Sequence, residues 1–342
     1  MRTALSPARL VVAGLALLLV VFIALTQIHS SDYLLVPDPA HPVAPLVHVQ
    51  GGTPRSGTGD IYFVDVVEER ATLLEQLIPS LRQAGSSLVP ADQIIPPGAN
   101  DASARRLDQQ MMQNSQRFAA AVALRSAGLP VVTRPVGVQV DAVAPESGAD
   151  GKIFPGDIVT GVDGTTTPTP LQLITTVHAH RIGQVVRVHL LREGKASSVA
   201  VKLSPAAATG PARRFAAIGL AAIEQSAFVK LPRTVSIDAG RVGGPSAGLA
   251  FALEIAAQLG RNVTRGYRVA VTGALDLDGT VEPIGGVKQK TYGARAAHAD
   301  VFLVPAGDNA TEARRFAHGL RIIPVRSFQQ ALCALSTLPP KR

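Results

Sequence analysis

Tryptophan is absent and cysteine occurs once among the 342 residues. A single thiol excludes an internal disulfide, so the fold must hold by burial alone. Aromatic residues make up only 4% of the chain while hydrophobic residues reach 46%. Ala, Val, Leu and Gly therefore carry the apolar content, as in small-residue packing of helices on sheets. Cys333 sits in the apolar helix pattern Phe328-Gln-Gln-Ala-Leu-Cys-Ala-Leu and is expected to be a small buried hydrophobe, not a nucleophile. No His-Glu-x-x-His and no Cys/His cluster is present, so neither a metal nor another cofactor is expected. A phosphate-binding Walker loop is also missing. Lys152 follows Gly148-Ala-Asp-Gly too soon, and Ile153 stands where Ser or Thr is needed. Net charge is +8, with Arg-Arg pairs at 105–106, 213–214 and 314–315. Without aromatic side chains interleaved among them, these point to anionic lipid or envelope polymers and away from nucleic acid.

What is present begins with Leu10 to Ile28, free of charge and about long enough to span a bilayer. Arg2 and Arg9 precede it and Asp32 follows, with no Lys or Arg until Arg55. The positive-inside rule then predicts a single-pass anchor over 1–30, its N-terminus cytoplasmic and the rest extracytoplasmic at the cell membrane. A cleaved signal peptide competes, but the apolar run is long and Thr26-Gln-Ile-His-Ser is a poor cleavage site. Residues 31–125 read as a linker and an N-terminal α/β segment. Asp32 to Val49, with Pro37, Pro39, Pro42 and Pro45, is expected to be extended. A strand is expected from Asp60, a short helix over Glu69–Leu81 and a loop over Pro90–Asn100. A longer helix then runs from Asp101 toward Gly128, with Leu107, Met111, Phe118 and Val122 as its apolar stripe.

Residues 126–205 alternate in a different way. Val136-Gly-Val-Gln-Val-Asp-Ala-Val reads as a strand, Phe154-Pro-Gly-Asp-Ile-Val-Thr-Gly-Val-Asp-Gly as strand and turn, and Leu171–His180 as a helix. Val185–Gly194 and Ser197–Leu203 read as a closing hairpin. In Pro145-Glu-Ser-Gly-Ala, Pro155-Gly-Asp-Ile-Val and Val162-Asp-Gly the segment resembles a PDZ domain. The resemblance implies peptide binding by strand addition. The groove would lie between Val136, Gly137 and Val138 on the strand and Leu171 and Ile174 on the helix, with His178 near by. For His178 and His180 a solvated helix face is the simpler reading.

Residues 206–342, after a linker from Thr209 to Leu220, carry the chemistry. Ser246 ends a glycine-rich turn and precedes Ala-Gly-Leu-Ala-Phe-Ala-Leu-Glu-Ile-Ala-Ala-Gln-Leu-Gly, an apolar helical run. Free amide N–H groups at such a helix mouth stabilise an anion. Downstream, Pro283-Ile-Gly-Gly-Val-Lys-Gln-Lys feeds Lys288 and Lys290 into a second helix. A serine beside a buried lysine performs acyl transfer without histidine.

Gly244-Pro-Ser-Ala-Gly, Thr272-Gly273 and Pro283–Lys290 together resemble the proteolytic domain of Lon-type (S16) proteases, and the likeness covers about the last third of the chain. It implies an α+β architecture, ribosomal protein S5 domain 2-like in this part, with Ser246 as nucleophile, Lys290 as base and Thr272 bonded to the lysine. Backbone N–H groups about Gly243 and Gly244 would hold the oxyanion. A homo-oligomer, such as a hexamer, is implied as well. Gly243 stands where many members have an acidic residue. The expectation is an ATP-independent endopeptidase acting on unfolded or flexible exported or membrane proteins. Two rivals are a membrane-tethered PDZ scaffold without catalysis and a nucleotide-binding protein like the GHMP kinases, whose glycine-rich loop is similar.

Overall fold

The unbroken run of Leu, Val and Ala at the start forms one helix, α1 (Pro7–Gln27). The computed structural model describes residues 7–53, 59–95, 101–206, 211–240 and 242–341, with the side chains of 7–10, 101–103, 211–212, 222 and 224 excepted. From Val11 to Ile23 the large apolar side chains of α1 are exposed. Among the described residues no helix is long and apolar enough to cross a membrane, so the span expected over Leu10–Ile28 is not established by the fold.

The extended linker expected after it is instead built into sheets. Strands β1 (His29–Pro37), β2 (His41–Pro42) and β3 (Val47–Val49) are followed by β4 (Asp60–Phe63) and β5 (Val66–Thr72). β5 takes the place of the first turn of the helix expected at Glu69. Helix α2 (Leu73–Leu77) begins only at Thr72, whose side chain and that of Glu75 form a capping box. β1 pairs antiparallel with β5 and with β6 (Ser87–Val89). Part of the loop expected over Pro90–Asn100 lies outside the described residues, as do parts of the Gly51–Gly57 turn and of the Thr209–Leu220 linker. Helix α3 (Asp101–Ser126) follows as expected, but Met112, not Met111, joins Leu107, Phe118 and Val122 in the core.

The middle of the chain forms a sheet from β7 (Val132–Val143), β8 (Ile158–Val162), β9 (Val185–Arg192), β10 (Lys195–Lys202) and β11 (Leu220–Lys230), in the order β10-β9-β8-β7-β11. Helix α4 (Pro170–His178) starts on an N-cap at Thr169 with proline at its first position, and buries Leu173 and Val177. Their partners are the inward valines of the strands, Val138, Val140, Val159, Val186 and Val188 among them. Asp157 is buried at 3% exposure and is met by Arg192 Nε at 2.8 Å and Nη2 at 2.6 Å.

The C-terminal sheet starts far earlier in the chain than its motifs suggest. After β12 (Val235–Ile237), antiparallel to β3, come α5 (Gly248–Gln258), β13 (Arg268–Val271), α6 (Val287–Ala296), β14 (Val301–Pro305), α7 (Asp308–Phe316), β15 (Arg321–Val325) and α8 (Phe328–Ser336). The sheet order is β2-β4-β13-β14-β15, parallel from β4 through β15. β4, from the N-terminal segment, is thus the neighbour of β13, and the PDZ-like sheet is inserted between them in sequence. α5 is buried all round, because α3 packs through Met112, Ala119, Ala120 and Ala123 onto the core that α5 shares with β4 and β13. Cys333, expected inside, is exposed: it falls on the outer face of α8, whose buried residues are Phe328, Ala331, Leu332 and Leu335.

Candidate active site

Two glycine turns bring the serine and the lysine together. Gly244 at φ +76° turns the chain into Pro245-Ser246-Ala247, and α5 begins two residues after the serine. Gly286 at φ +68° precedes α6 and sends Lys290 inward on its first turn. Lys290 is 5% exposed, and its Nζ lies 2.8 Å from Ser246 Oγ. Burial pulls the ammonium down from its ordinary 10.5 to about 8, against the opposing charges of Asp65 and Glu68. About a tenth of such a lysine is neutral at pH 7 and about half near pH 8, in hydrogen-bond contact with the hydroxyl it would deprotonate.

The rival lysine is held elsewhere. Lys288 Nζ donates to Ser86 O at 2.9 Å and Ser87 Oγ at 3.2 Å, with the Phe316 ring beside it.

Thr272 is fully buried, and its hydroxyl donates to the carbonyl of Ser246 at 3.3 Å. Gly273 N–H donates to the same carbonyl at 2.8 Å, while Leu249 N–H donates to the carbonyl of Gly273 at 3.1 Å. The Thr-Gly pair therefore staples the serine turn to the end of β13; its contact is with the backbone of Ser246, not with the Lys290 amine.

Two further supports come from α3. The Gly244 amide donates to Asp108 O at 2.9 Å, and Ser115 Oγ donates to Pro245 O at 2.9 Å. A Cβ on Gly243 would meet Asp108 Cβ at 2.9 Å and one on Gly248 would meet Ser115 Oγ at 2.7 Å, so both glycines are required by the approach of α3. The Gly244 N–H, expected in the oxyanion hole, is thus already committed. The amides of Ser246 and Ala247 have no acceptor among the described residues and point to the anion site more directly. Ser115 and Asp108 carry no local motif, and only the fold reveals them.

The peptide groove also moves. Val138 is fully buried, and it pairs with Gln225 of β11 on one side and Val159 of β8 on the other. No edge is left there for an added strand, so the expected role of Val136, Gly137 and Val138 is corrected. β11 is the end strand of the sheet. A groove opens between its start and α4, lined by Ile174, Val177, His178, Ile218, Leu220 and Ile223. Ile174 is in it, whereas Leu171 is 74% exposed and is not. His178 stacks on Phe215 at 4.6 Å between ring centroids, and His180 lies 3.4 Å from Asp163. The segment expected as a linker, Ile218-Gly219-Leu220, is the groove's floor. The signal was there, a glycine between apolar residues ahead of a strand-like run.

Comparison with known proteins agrees with the two motif sets. A family model described as the Lon protease (S16) C-terminal proteolytic domain matches residues 198–335, and a PDZ domain model matches 108–203. Lon protease 2 of Bacillus subtilis is 31% identical over 123 residues, 36% of this chain and 21% of that protein. Lon protease 1 of Sorangium cellulosum is 40% identical over 78 residues, 22% of this chain and 10% of that protein. The PDZ domain of an SdrC-like protein from Listeria innocua is 24% identical, covers 26% of this chain and 92% of that structure, and gives a TM-score of 0.23. The chain spans about a fifth or less of these curated Lon relatives' length. It carries a Lon-type proteolytic domain and a PDZ domain, and the first supports a serine peptidase.

Proposed function

We propose that the chain is an ATP-independent serine endopeptidase working through a Ser246–Lys290 dyad. The observation that carries the reading is the 2.8 Å contact between a hydroxyl at a helix mouth and a buried amine whose ammonium form burial disfavours. Neutral Lys290 takes the Ser246 proton as Oγ attacks a peptide carbonyl. The oxyanion sits against the Ser246 and Ala247 amides, worth about 3 kcal/mol for one such donor. The proton passes to the leaving amine, and water, deprotonated by Lys290, frees the acyl group. Thr272 and Gly273 hold the nucleophile's own carbonyl, so the turn cannot swing when Oγ moves.

Extended substrates would add as a strand beside β11, with an apolar side chain between α4 and Ile218. Flexible or unfolded segments of exported or membrane proteins suit a chain whose described sequence has no Walker loop. Tethering to lipid is proposed from α1, whose large apolar side chains from Val11 to Ile23 are exposed. Its exposed apolar flanks favour lipid on all sides, with the body of the protein extracytoplasmic and self-assembly into a ring proposed by likeness alone.

The test is cleavage of an unfolded protein such as casein by the full chain in detergent. Activity should vanish in Ser246→Ala and Lys290→Ala and persist in Lys288→Ala. Equal cleavage by wild type and Ser246→Ala would leave a peptide-binding scaffold as the better reading.

A further inference from the structure

Besides Ser246, Lys290 feels the charges of Asp65 and Glu68. Asp38 lies between β1 and β2, His41 is the first residue of β2, and Asp65 lies between β4 and β5. The antiparallel pairing of β2 with β4 sets His41 opposite Phe63, two residues from Asp65, and the His41 and Phe63 rings pack with centroids 5.4 Å apart. Both segments are pressed onto the helix that carries the base. A Cβ at Gly293 of α6 would stand 2.1 Å from Asp38 O, and one at Gly286 would stand 2.7 Å from Val66 Cγ2. Glycine at these two positions lets the segments close on α6 either side of Lys290.

We infer that Asp38, His41 and Asp65 form a binding site for a zinc-class divalent cation in the segments that pack against α6. His41 Nε2 lies 2.8 Å from Asp38 Oδ2 and 3.8 Å from Asp65 Oδ1, and the three ligand atoms fall within 4.8 Å of one another. Zinc bonds to nitrogen and oxygen of about 2.1 Å, arranged tetrahedrally, require ligand atoms about 3.4 Å apart. The two measured spacings bracket that value, so small side-chain movements complete the set. An independent observation concerns Asp65: its Oδ1 is buried and has no hydrogen-bond partner among the described residues. A lone pair shut away from water and facing a second carboxylate is unfavourable unless a proton or a cation stands between them. Imidazole with two carboxylates suits zinc and similar borderline ions, and three protein ligands leave a fourth position for water. The ligands come from segments separated by the whole of residues 42–64, which is why no spacing motif announces them.

Zinc uptake does not depend on the peptidase reading, and only its consequence does. The negative charge of Asp65 favours the ammonium form of Lys290. A cation there opposes that charge, so the bound form should be active at lower pH than the metal-free form.

The test uses the full chain in detergent, freed of metal by a chelator and titrated calorimetrically with Zn²⁺ alone. Cobalt substitution serves as a second readout through its visible bands. One zinc per chain is expected. His41→Ala and Asp38→Asn should weaken it by more than about 100-fold, as loss of a direct ligand must exceed the 10–100-fold typical of an outer partner. His48→Ala should leave it unchanged, and Ser246→Ala should bind as wild type does. His41 has a side chain 45% exposed, so His41→Ala should stay folded, with circular dichroism as the check. Absence of zinc uptake by the wild type, or equal uptake by wild type and His41→Ala, overturns the inference and leaves a proton shared between the carboxylates.

Discussion

Replacing Lys290 with methionine should abolish cleavage and yet stabilise the protein. Holding the lysine in a dry site lowers its pKa from 10.5 to about 8, which at about 1.4 kcal/mol per pKa unit is roughly 3 kcal/mol of stability forgone near neutral pH. Methionine fills a similar volume without a charge to desolvate. It loses the bond to Ser246, a loss of about 1 kcal/mol, so the net gain should be about 2 kcal/mol at pH 7. The gain must depend on pH in one direction. Between about 8 and 10.5 the unfolded chain binds more protons at this lysine than the folded one, so wild-type stability rises with pH across that window. Below about 8 the wild type carries the full penalty, and above 10.5 it carries none. The difference between variant and wild type should therefore be largest at pH 7 and close by pH 10.5. Cleavage by the wild type should rise with pH through about 8, as the amine loses its proton. Urea unfolding in detergent, followed by circular dichroism because the chain has no tryptophan, measures both proteins. Subtracting them cancels the other titrating groups. Lys290→Met less stable than wild type at pH 7 by 1 kcal/mol or more, or a gap that does not change with pH, would refute a buried, partly neutral lysine.

Gly293→Ala should destabilise by about 1–3 kcal/mol, since the new Cβ would stand 2.1 Å from Asp38 O in tight packing; thermal unfolding measures it, and a change under 0.5 kcal/mol would mean that segment 38–40 is free to move. Arg192→Ala strips buried Asp157 of both its guanidinium bonds and should destabilise the middle sheet by about 3 kcal/mol, read as early loss of amide protection in β8 and β9. Ile174→Asp should weaken binding of apolar-ended peptides at least about tenfold while a small unfolded substrate is still cut, because the groove and the dyad lie on different elements; equal loss of both in kinetic assays would count against the groove. A fragment of residues 206–342 should not fold, as it lacks β4 beside β13 and α3 over α5; a cooperative unfolding transition from that fragment would show the N-terminal strands to be dispensable.

The meeting of Ser246 and Lys290 was legible in the sequence because each lies in its own short motif, with glycines where the backbone turns. Ser246, Thr272 and Lys290 all meet at one turn; alternating strand and helix signals left α/β and α+β both open, and the resemblance supplied the choice of α+β. What could not be read was anything set by long-range pairing. The proline-rich stretch over Asp32–Val49 looks like a linker residue by residue, since two- and three-residue strands leave no periodic trace. Its short strands β2 and β3 exist only because β4 and β12 lie beside them, and the longer β1 is held between β5 and β6. The groove was misplaced for the same reason: Val136–Val140 has the alternation of an edge strand, but β11, more than 80 positions later, takes that edge. Cys333 was misjudged by local pattern alone, on a helix with only one face to bury.

These failures share a cause that bears on how the site works. Everything missed around Ser246 and Lys290 comes from the first 125 residues or the end of the PDZ-like unit, and it packs against the elements that carry their two glycine turns. α3 makes the link concrete. Its Gln110 Nε2 and Asn114 Nδ2 donate to Gln139 Oε1 of β7 at 3.1 and 3.0 Å, while Ser115, on the next position along, holds Pro245 beside the nucleophile. Gln139 is 1% exposed, so its carbonyl cannot trade these donors for water, and parting β7 from α3 would leave buried polar groups unpaired at about 1–3 kcal/mol each. The serine turn is therefore fixed by a helix that also grips the PDZ-like sheet, and the position of Ser246 is set by residues that lie outside its own motif.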